Sequence, residues 1–148
     1  MDNLNQDGLI FTPLRRIHTP NGDVLHAIKQ SDAGFAGFGE AYFSSVHPGA
    51  FKGWKRHERM TLNIIVPVGA IRFFIVDERG ERRLHIIDLS PDNYGRLTVP
   101  PGIWMGFKGL GEETNMLLNV ASIPHDPTEA ENRSPEAFAS FFPELQPS

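Results

Sequence analysis

The chain has 148 residues, 40% of them apolar and 22% charged, which is typical of one globular domain, here residues 1–148, and not of a disordered chain. Its 14 basic and 18 acidic residues give a net charge of −4, without the lysine and arginine stripe that nucleic-acid binding requires or an apolar run that could span a membrane. Zero cysteines exclude disulfides, thiolate metal sites and cysteine nucleophiles.

The first ten residues, MDNLNQDGLI, are acidic and polar, whereas a signal peptide has a basic and then an apolar segment, so we expect a cytoplasmic protein. The 14 glycines and 12 prolines of the chain separate many short β-prone runs. The predicted strands, in chain order, are 9–17, 24–28, 39–46, 50–56, 62–67, 70–77, 82–88, 96–99, 104–110 and 115–121. Ten short strands in a domain of this size indicate a sandwich or barrel with antiparallel neighbours.

The last predicted element is a helix that begins at Ser134. Ser134 is a residue type that favours the N-cap position, a proline follows it, and Phe138, Phe141 and Phe142 repeat at helical spacing. We therefore expect a short C-terminal helical tail, residues 134–145, on the outside of the domain. Its aromatic side chains are expected to dock against the barrel or a neighbouring subunit, in preference to forming a ligand site.

The densest group of functional side chains is FKGWKRHER, residues 51–59. If a strand continues through it, period-two alternation places Lys55 and His57 on one face and Trp54 and Arg56 on the other. An ammonium beside an imidazole can bind an anion, or can stabilise an enolate while the imidazole removes a proton from carbon. The alternative, a basic rim in solvent, stays open from spacing alone.

A second candidate is the bend PPGIWMGF, residues 100–107, where prolines and glycines fix the direction of the chain. Trp104 and Phe107 on this bend could stack on a base or a sugar, or could form a core corner of a β-domain. Farther along, the tripeptide at 125–127, His-Asp-Pro, favours a hydrogen-bonded turn over a site.

Together, residues 46–69 and the PPGIWMGF bend resemble the two sequence hallmarks of the cupin superfamily. The chain is more closely similar to the dTDP-4-dehydrorhamnose 3,5-epimerase and dTDP-sugar isomerase family of these RmlC-like cupins. The pattern KGWKRH…VPVG…FIVDERGE…LTVPPGIWMGF carries this resemblance, which covers roughly residues 36–131. It implies an all-β cupin fold, a double-stranded β-helix or jelly-roll barrel, followed by the short helical tail. It also implies a homodimer that pairs or exchanges edge strands.

The resemblance assigns roles to the positions of KGWKRH. The family's phosphate-binding arginine corresponds to Lys52, its usual catalytic base to Lys55, and the second histidine of the ketoisomerase pattern to His57. His57 is thus the candidate base, and Lys55 the cation beside the reacting oxygen. The lysine that in the epimerases faces the 4-keto oxygen would fall near Leu62. The tyrosine that acts as their general acid would fall near Leu118 or Asn119, so neither residue is at its usual place. The candidate substrate-binding residues are Lys52, Arg72, Tyr42, Trp104, Asn63 and Asn119.

The same resemblance bears on cofactors. The four metal-ligand positions of cupins fall on Lys55, His57, Leu62 and Met105, and one ligand of four does not hold a divalent ion, so we expect no metal and no other cofactor. The implied reaction is epimerisation or keto migration on a nucleotide-linked 4-keto-6-deoxyhexose, by proton abstraction next to the keto group. The alternative is a non-catalytic cupin that binds a sugar or a sugar nucleotide.

Overall fold

The structure is a computed structural model that describes residues 5–146, and strands dominate it. The strands are β1 (Ile10–Pro13), β2 (Arg16–Ile17), β3 (Val24–Leu25), β4 (Glu40–Ser45), β5 (Phe51–His57), β6 (Leu62–Val68), β7 (Ile71–Asp77), β8 (Arg83–Leu89), β9 (Gly95–Val99), β10 (Ile103–Gly109), β11 (Met116–Ala121) and β12 (Ala130–Asn132). Short 3-10 turns span Pro127–Glu129, Pro135–Phe141 and Pro143–Leu145. No helix of the described residues is both long and apolar enough to cross a membrane.

Two five-stranded antiparallel sheets form the body of the domain. The first sheet has the order β1-β9-β6-β11-β4 and the second the order β12-β5-β10-β7-β8. Consecutive strands alternate between the two sheets along most of the chain, as in a jelly roll, so the expected all-β cupin fold is confirmed.

Two details of the strand prediction differ from the structure. The predicted strand 9–17 divides into two, because β1 pairs with β9 whereas β2 leaves the sheet and pairs with β3 in a separate ribbon. β12 was not predicted, since its three residues, Ala-Glu-Asn, lack the β-branched and aromatic side chains that mark a strand. β12 becomes a strand through its pairing with β5.

The main core lies between the two sheets and follows from period-two alternation. On β6, Leu62, Ile64 and Val66 point inward, and on β7 Ile71 and Phe73 meet them from the opposite sheet. This packing fills the closed part of the barrel and leaves the region between β4 and β5 for a cavity.

The C-terminal tail covers the outer face of the second sheet. Phe138 and Phe142 are buried there against Trp54, Phe74 and Trp104. Ring centroids of Trp54 and Phe138 lie 5.1 Å apart in an edge-to-face arrangement. The predicted helical tail is therefore present and docks its aromatic side chains on the barrel.

The tail differs from the expected helix in its geometry. It consists of two 3-10 turns and not of a continuous α-helix. Pro143 begins the second turn, and the backbone of Phe138 (φ −121°, ψ 16°) departs from helical values inside the first. Ser134 precedes the first turn, but its side chain makes no capping hydrogen bond.

Candidate active site

A cavity of about 320 Å³ opens between the two sheets, beside β4 and β5. Its apolar wall comes from strands of both sheets, and its polar groups concentrate on β4, β5, β11 and β12. The polar side chains that line it are Tyr42, Ser44, Lys52, Lys55, His57, Asn119 and Asn132, and the apolar ones include Leu62, Ile64, Met105, Phe107 and Leu117. Its size and its mixed lining are those of a small-molecule site.

β5 brings three of the predicted residues to this cavity. Lys55 and His57 face it, whereas Arg56 lies outside over the ring of Trp104, as alternation predicts. Lys52 also lines the cavity, because two residues separate Lys52 from Lys55 on β5 where one residue separates Phe107 from Met105 on β10. This bulge shifts the phase of the alternation and places two ammonium groups on the same side of the strand.

His57 is held by a buried carboxylate that the sequence analysis missed. Nδ1 of His57 and the Glu129 carboxylate form a hydrogen bond, and the Glu129 residue is only 2% exposed. The other oxygen of Glu129 accepts hydrogen bonds from the backbone N–H groups of Arg59 at 3.1 Å, Glu58 at 3.2 Å and Met60 at 3.3 Å. The backbone hydrogen bonds therefore fix the Glu129 carboxylate, and the carboxylate fixes the orientation of the His57 imidazole.

The protonation of this pair follows from its environment. Burial alone raises the pKa of Glu129, but the hydrogen bond from His57 and those from the Arg59 and Met60 backbone outweigh it and hold this pKa below its ordinary value. An ionised carboxylate only accepts hydrogen bonds, so Nδ1 of His57 carries a proton. In the neutral imidazole, Nε2 is then unprotonated and can act as a base.

The two lysines differ in their contacts. Nζ of Lys52 donates to Ser44 Oγ and to the Ser45 carbonyl, both at 3.0 Å, and lies 5.6 Å from the centroid of the Phe107 ring. Lys55 makes no hydrogen bond or ion pair with any residue between 5 and 146. Its ammonium group is available to a ligand in the cavity.

Tyr42 and Asn119 form a polar pair on the wall contributed by the first sheet. They face each other across the β4–β11 pairing, and Nδ2 of Asn119 donates to the Tyr42 hydroxyl at 3.1 Å. Oδ1 of Asn119 accepts from the backbone N–H of Asn63 at 3.1 Å, which fixes the orientation of the amide. The structure thus brings Tyr42 and Asn119 to the same cavity as Lys52, Lys55 and His57.

Three predicted substrate-binding residues do not line the cavity, so the prediction is wrong for them. Arg72 is on the outer face of the second sheet, where it pairs with Asp88 and Glu144, and its hydrogen bond to Asp88 raises its pKa further. Trp104 is 1% exposed and lies in the aromatic cluster beneath the tail.

Asn63 is the third of these residues. Its side chain bonds the Thr98 hydroxyl and the carbonyl of Gly34, on the outer side of the first sheet. The reason is the same for all three, because the neighbours of each in its strand point into the barrel and alternation turns the residue itself outward.

The turn at residues 125–127 lies beside the site. The tripeptide at 125–127 forms the predicted turn, in which Asp126 accepts from the Thr128 backbone N–H at 2.9 Å and begins the turn that carries Glu129. Within the described residues, no three His, Asp or Glu side chains come together in the way that a metal ion would need.

Comparison with known proteins relates the chain to enzymes that modify sugars. It is 29% identical to the probable low-salt glycan biosynthesis epimerase Agl13 of Haloferax volcanii over 91 residues, which is 58% of each chain. The chain thus spans less than two thirds of the length of this relative. No family model matches the chain.

Solved structures extend the similarity over the whole chain. A dTDP sugar isomerase from Desulfovibrio desulfuricans, known from a crystal structure, is 36% identical in sequence to this chain. Its TM-score is 0.85, and the match covers 100% of this chain and 94% of the isomerase. A dTDP-4-dehydrorhamnose 3,5-epimerase from Sulfolobus tokodaii, also known from a crystal structure, is 19% identical, with a TM-score of 0.77 over 90% of this chain and 80% of the epimerase. The isomerase is similar in sequence as well as in fold, and the epimerase in fold alone.

Proposed function

We propose a function from the premise that this chain belongs to the RmlC-like cupin family of dTDP-sugar isomerases and dTDP-4-dehydrorhamnose 3,5-epimerases. The protein isomerises or epimerises a dTDP-linked 4-keto-6-deoxyhexose by removing a proton from a carbon next to the keto group. The observation that carries this proposal is the pair of His57 and the buried Glu129, since Nε2 of His57 is the base that such chemistry requires.

Lys55 supplies the second requirement of the reaction. When a proton leaves the carbon next to a keto group, negative charge develops on the keto oxygen. Lys55 is two residues from His57 on the same face of β5, and its ammonium group has no other partner in the described part of the chain. Its charge therefore stabilises the enolate that forms.

Removing this charge tests the role of Lys55. Lys55→Met is expected to slow proton removal by roughly 10²-fold, the loss typical of removing one group that stabilises an oxyanion, because methionine keeps the length of the side chain without the charge. The measurement is the rate of deuterium uptake by the substrate in D₂O. Lys29→Met, at an exposed lysine outside the cavity, is the matched control, and equal rates for the two variants would contradict the role.

The remaining polar groups of the cavity bind the nucleotide and the sugar. Lys52 binds the diphosphate as a point charge, without the two-pronged geometry of an arginine. Tyr42 and Asn119 bind the sugar, and Leu62, Met105 and Phe107 provide an apolar wall for its methyl group. Arg72 and Trp104 take no part, since both lie outside the cavity.

Proton NMR of the protein with dTDP-4-keto-6-deoxyglucose in D₂O tests the proposal directly. Loss of the sugar H3 or H5 signal, faster than in a sample without protein, is the expected result and identifies the carbon that reacts. Line broadening without exchange would instead favour the non-catalytic sugar-nucleotide binder. The absence of both effects would contradict the assignment to nucleotide sugars.

The protein acts as a homodimer in this proposal. β4 is an edge strand, and Phe43 on its outer side is 64% exposed, with Phe38 nearby in sequence at 67%. An unpaired edge flanked by exposed aromatic side chains favours pairing with a second copy. Sedimentation velocity at micromolar concentrations is expected to give the mass of a dimer, and a monomer throughout that range would contradict it.

Composition supports the remaining partner assignment. The net charge of −4 and the lack of a basic stripe favour a small-molecule partner over a nucleic acid or a membrane.

A further inference from the structure

The proposed function leaves open where the abstracted proton returns. His57 alone could return it on the same side of the sugar, to the neighbouring carbon, and so move the keto group. A second group on the opposite side could instead deliver a proton to the original carbon and invert it. The two outcomes distinguish a ketoisomerase from an epimerase.

Tyr42 is in the position that the second outcome requires. His57 projects into the cavity from β5 of the second sheet, and Tyr42 from β4 of the first sheet. A sugar ring bound between the two sheets therefore meets the imidazole from one side and the phenol from the other.

The contacts of Tyr42 leave its proton available. Its hydroxyl oxygen accepts a hydrogen bond from Nδ2 of Asn119, a group that can only donate. Asn119 is 2% exposed and cannot turn over without losing the bond between its Oδ1 and the Asn63 N–H. Among residues 5–146 there is no acceptor for the Tyr42 hydroxyl proton, so this proton can point to a ligand.

We propose that Tyr42 is the proton donor opposite His57 and that the protein is therefore an epimerase and not a ketoisomerase, an inference that rests on the proposed function. Asn119 is a positioning residue, since it acts on the substrate through Tyr42. The resemblance places the acid tyrosine of the family near position 119. This chain has Asn119 there, and its amide holds Tyr42 of the adjacent strand β4 by a hydrogen bond.

The proposed step balances without a redox partner. Nε2 of His57 takes the proton, the C–H electron pair forms the enolate, and Lys55 stabilises the charge on oxygen. The hydroxyl of Tyr42 then gives its proton to the opposite face of the same carbon as the carbonyl re-forms. His57 is left protonated and Tyr42 deprotonated, and water resets both, because the Tyr42 residue is 41% exposed.

The test compares the wild type with Tyr42→Phe, using dTDP-4-keto-6-deoxyglucose in D₂O and proton NMR. The wild type is expected to form an epimer that carries deuterium at the inverted carbon, with the keto group at C4. Tyr42→Phe is expected to invert at least roughly 10²-fold more slowly, the scale of a general acid. It still introduces deuterium into unchanged substrate, since His57 can return a deuteron to its own side.

Tyr94→Phe is the matched control, because Tyr94 bonds the His26 carbonyl at 2.6 Å outside the cavity, and it is expected to invert at the wild-type rate. Inversion by Tyr42→Phe within a few-fold of the wild type, or migration of the keto group in the wild type, would overturn the inference while leaving the proposed function intact. Absence of deuterium uptake with the wild type would overturn both. Uptake retained by Tyr42→Phe also shows that this variant is folded.

Discussion

The variant His57→Asn is expected to lose proton exchange by roughly 10²–10⁴-fold, the contribution of a general base. Asparagine removes Nε2, the atom that takes the proton. Its amide N–H can still donate to Glu129 in place of Nδ1–H, so the buried carboxylate keeps a partner. The loss is therefore expected in the chemical step and not in folding.

Two measurements separate these effects. Deuterium uptake by the substrate reports the chemical step, and calorimetric titration with dTDP reports binding, which is expected to stay within a few-fold of the wild type because Lys52 is unchanged. His125→Asn, at an exposed histidine outside the cavity, is the matched control. If His57→Asn exchanged as fast as His125→Asn, His57 would not be the base.

Much of the fold could be predicted from the sequence because its signals are local. Turn residues separate the strands, and the nearly continuous apolar runs of β6 and β7 mark strands that are buried in the domain. β12 is not predictable in this way, because its conformation depends on pairing with β5 and not on the β-propensity of its own side chains. The division of the first predicted strand likewise reflects a choice of partners that no local pattern encodes.

The site was predictable where it depends on alternation within one strand. Lys55 and His57 share a face of β5 for this reason, and the same rule, applied to β7, would have turned Arg72 outward, since Ile71 and Phe73 flank it. Trp104 gave no such signal, because its neighbours Ile103 and Met105 are as apolar as it is, and either phase of the strand would look the same.

Glu129 could not be predicted from local patterns. It lies 72 residues from His57 in sequence, and the contact exists only because β12 pairs with β5 and brings the preceding turn beside the end of that strand. The turn signal at Asp126 and Pro127 was visible, but it indicates a change of chain direction and not a partner. A long-range contact of this kind requires the tertiary structure.

The variant Glu129→Gln is expected to reduce the rate of proton exchange by roughly 10⁴-fold, the effect of the corresponding acid-to-amide change in a serine protease triad. The amide oxygen can continue to accept from the backbone of Glu58, Arg59 and Met60. The amide NH₂ then faces Nδ1 of His57, so that nitrogen must accept a hydrogen bond from it. The imidazole proton moves to Nε2, which can no longer act as a base. Deuterium uptake measures the loss, and Glu131→Gln, at the exposed partner of Arg56, is the control.

The pH dependence of stability tests the state of Glu129 independently of activity. Because the folded protein holds this pKa below its ordinary value of 4.5, ionised Glu129 stabilises the fold above that pH, and the stabilisation is lost as the pH falls through the folded value. Glutamine does not titrate. The wild type is therefore expected to exceed Glu129→Gln in free energy of unfolding near pH 7, by a margin that shrinks as the pH falls below 4.5, as measured by urea denaturation. A margin that did not change with pH would mean that folding leaves the pKa of Glu129 unchanged. A margin that grew toward acid would mean that Glu129 is protonated in the native protein, and the tautomer of His57 inferred from it would then be wrong.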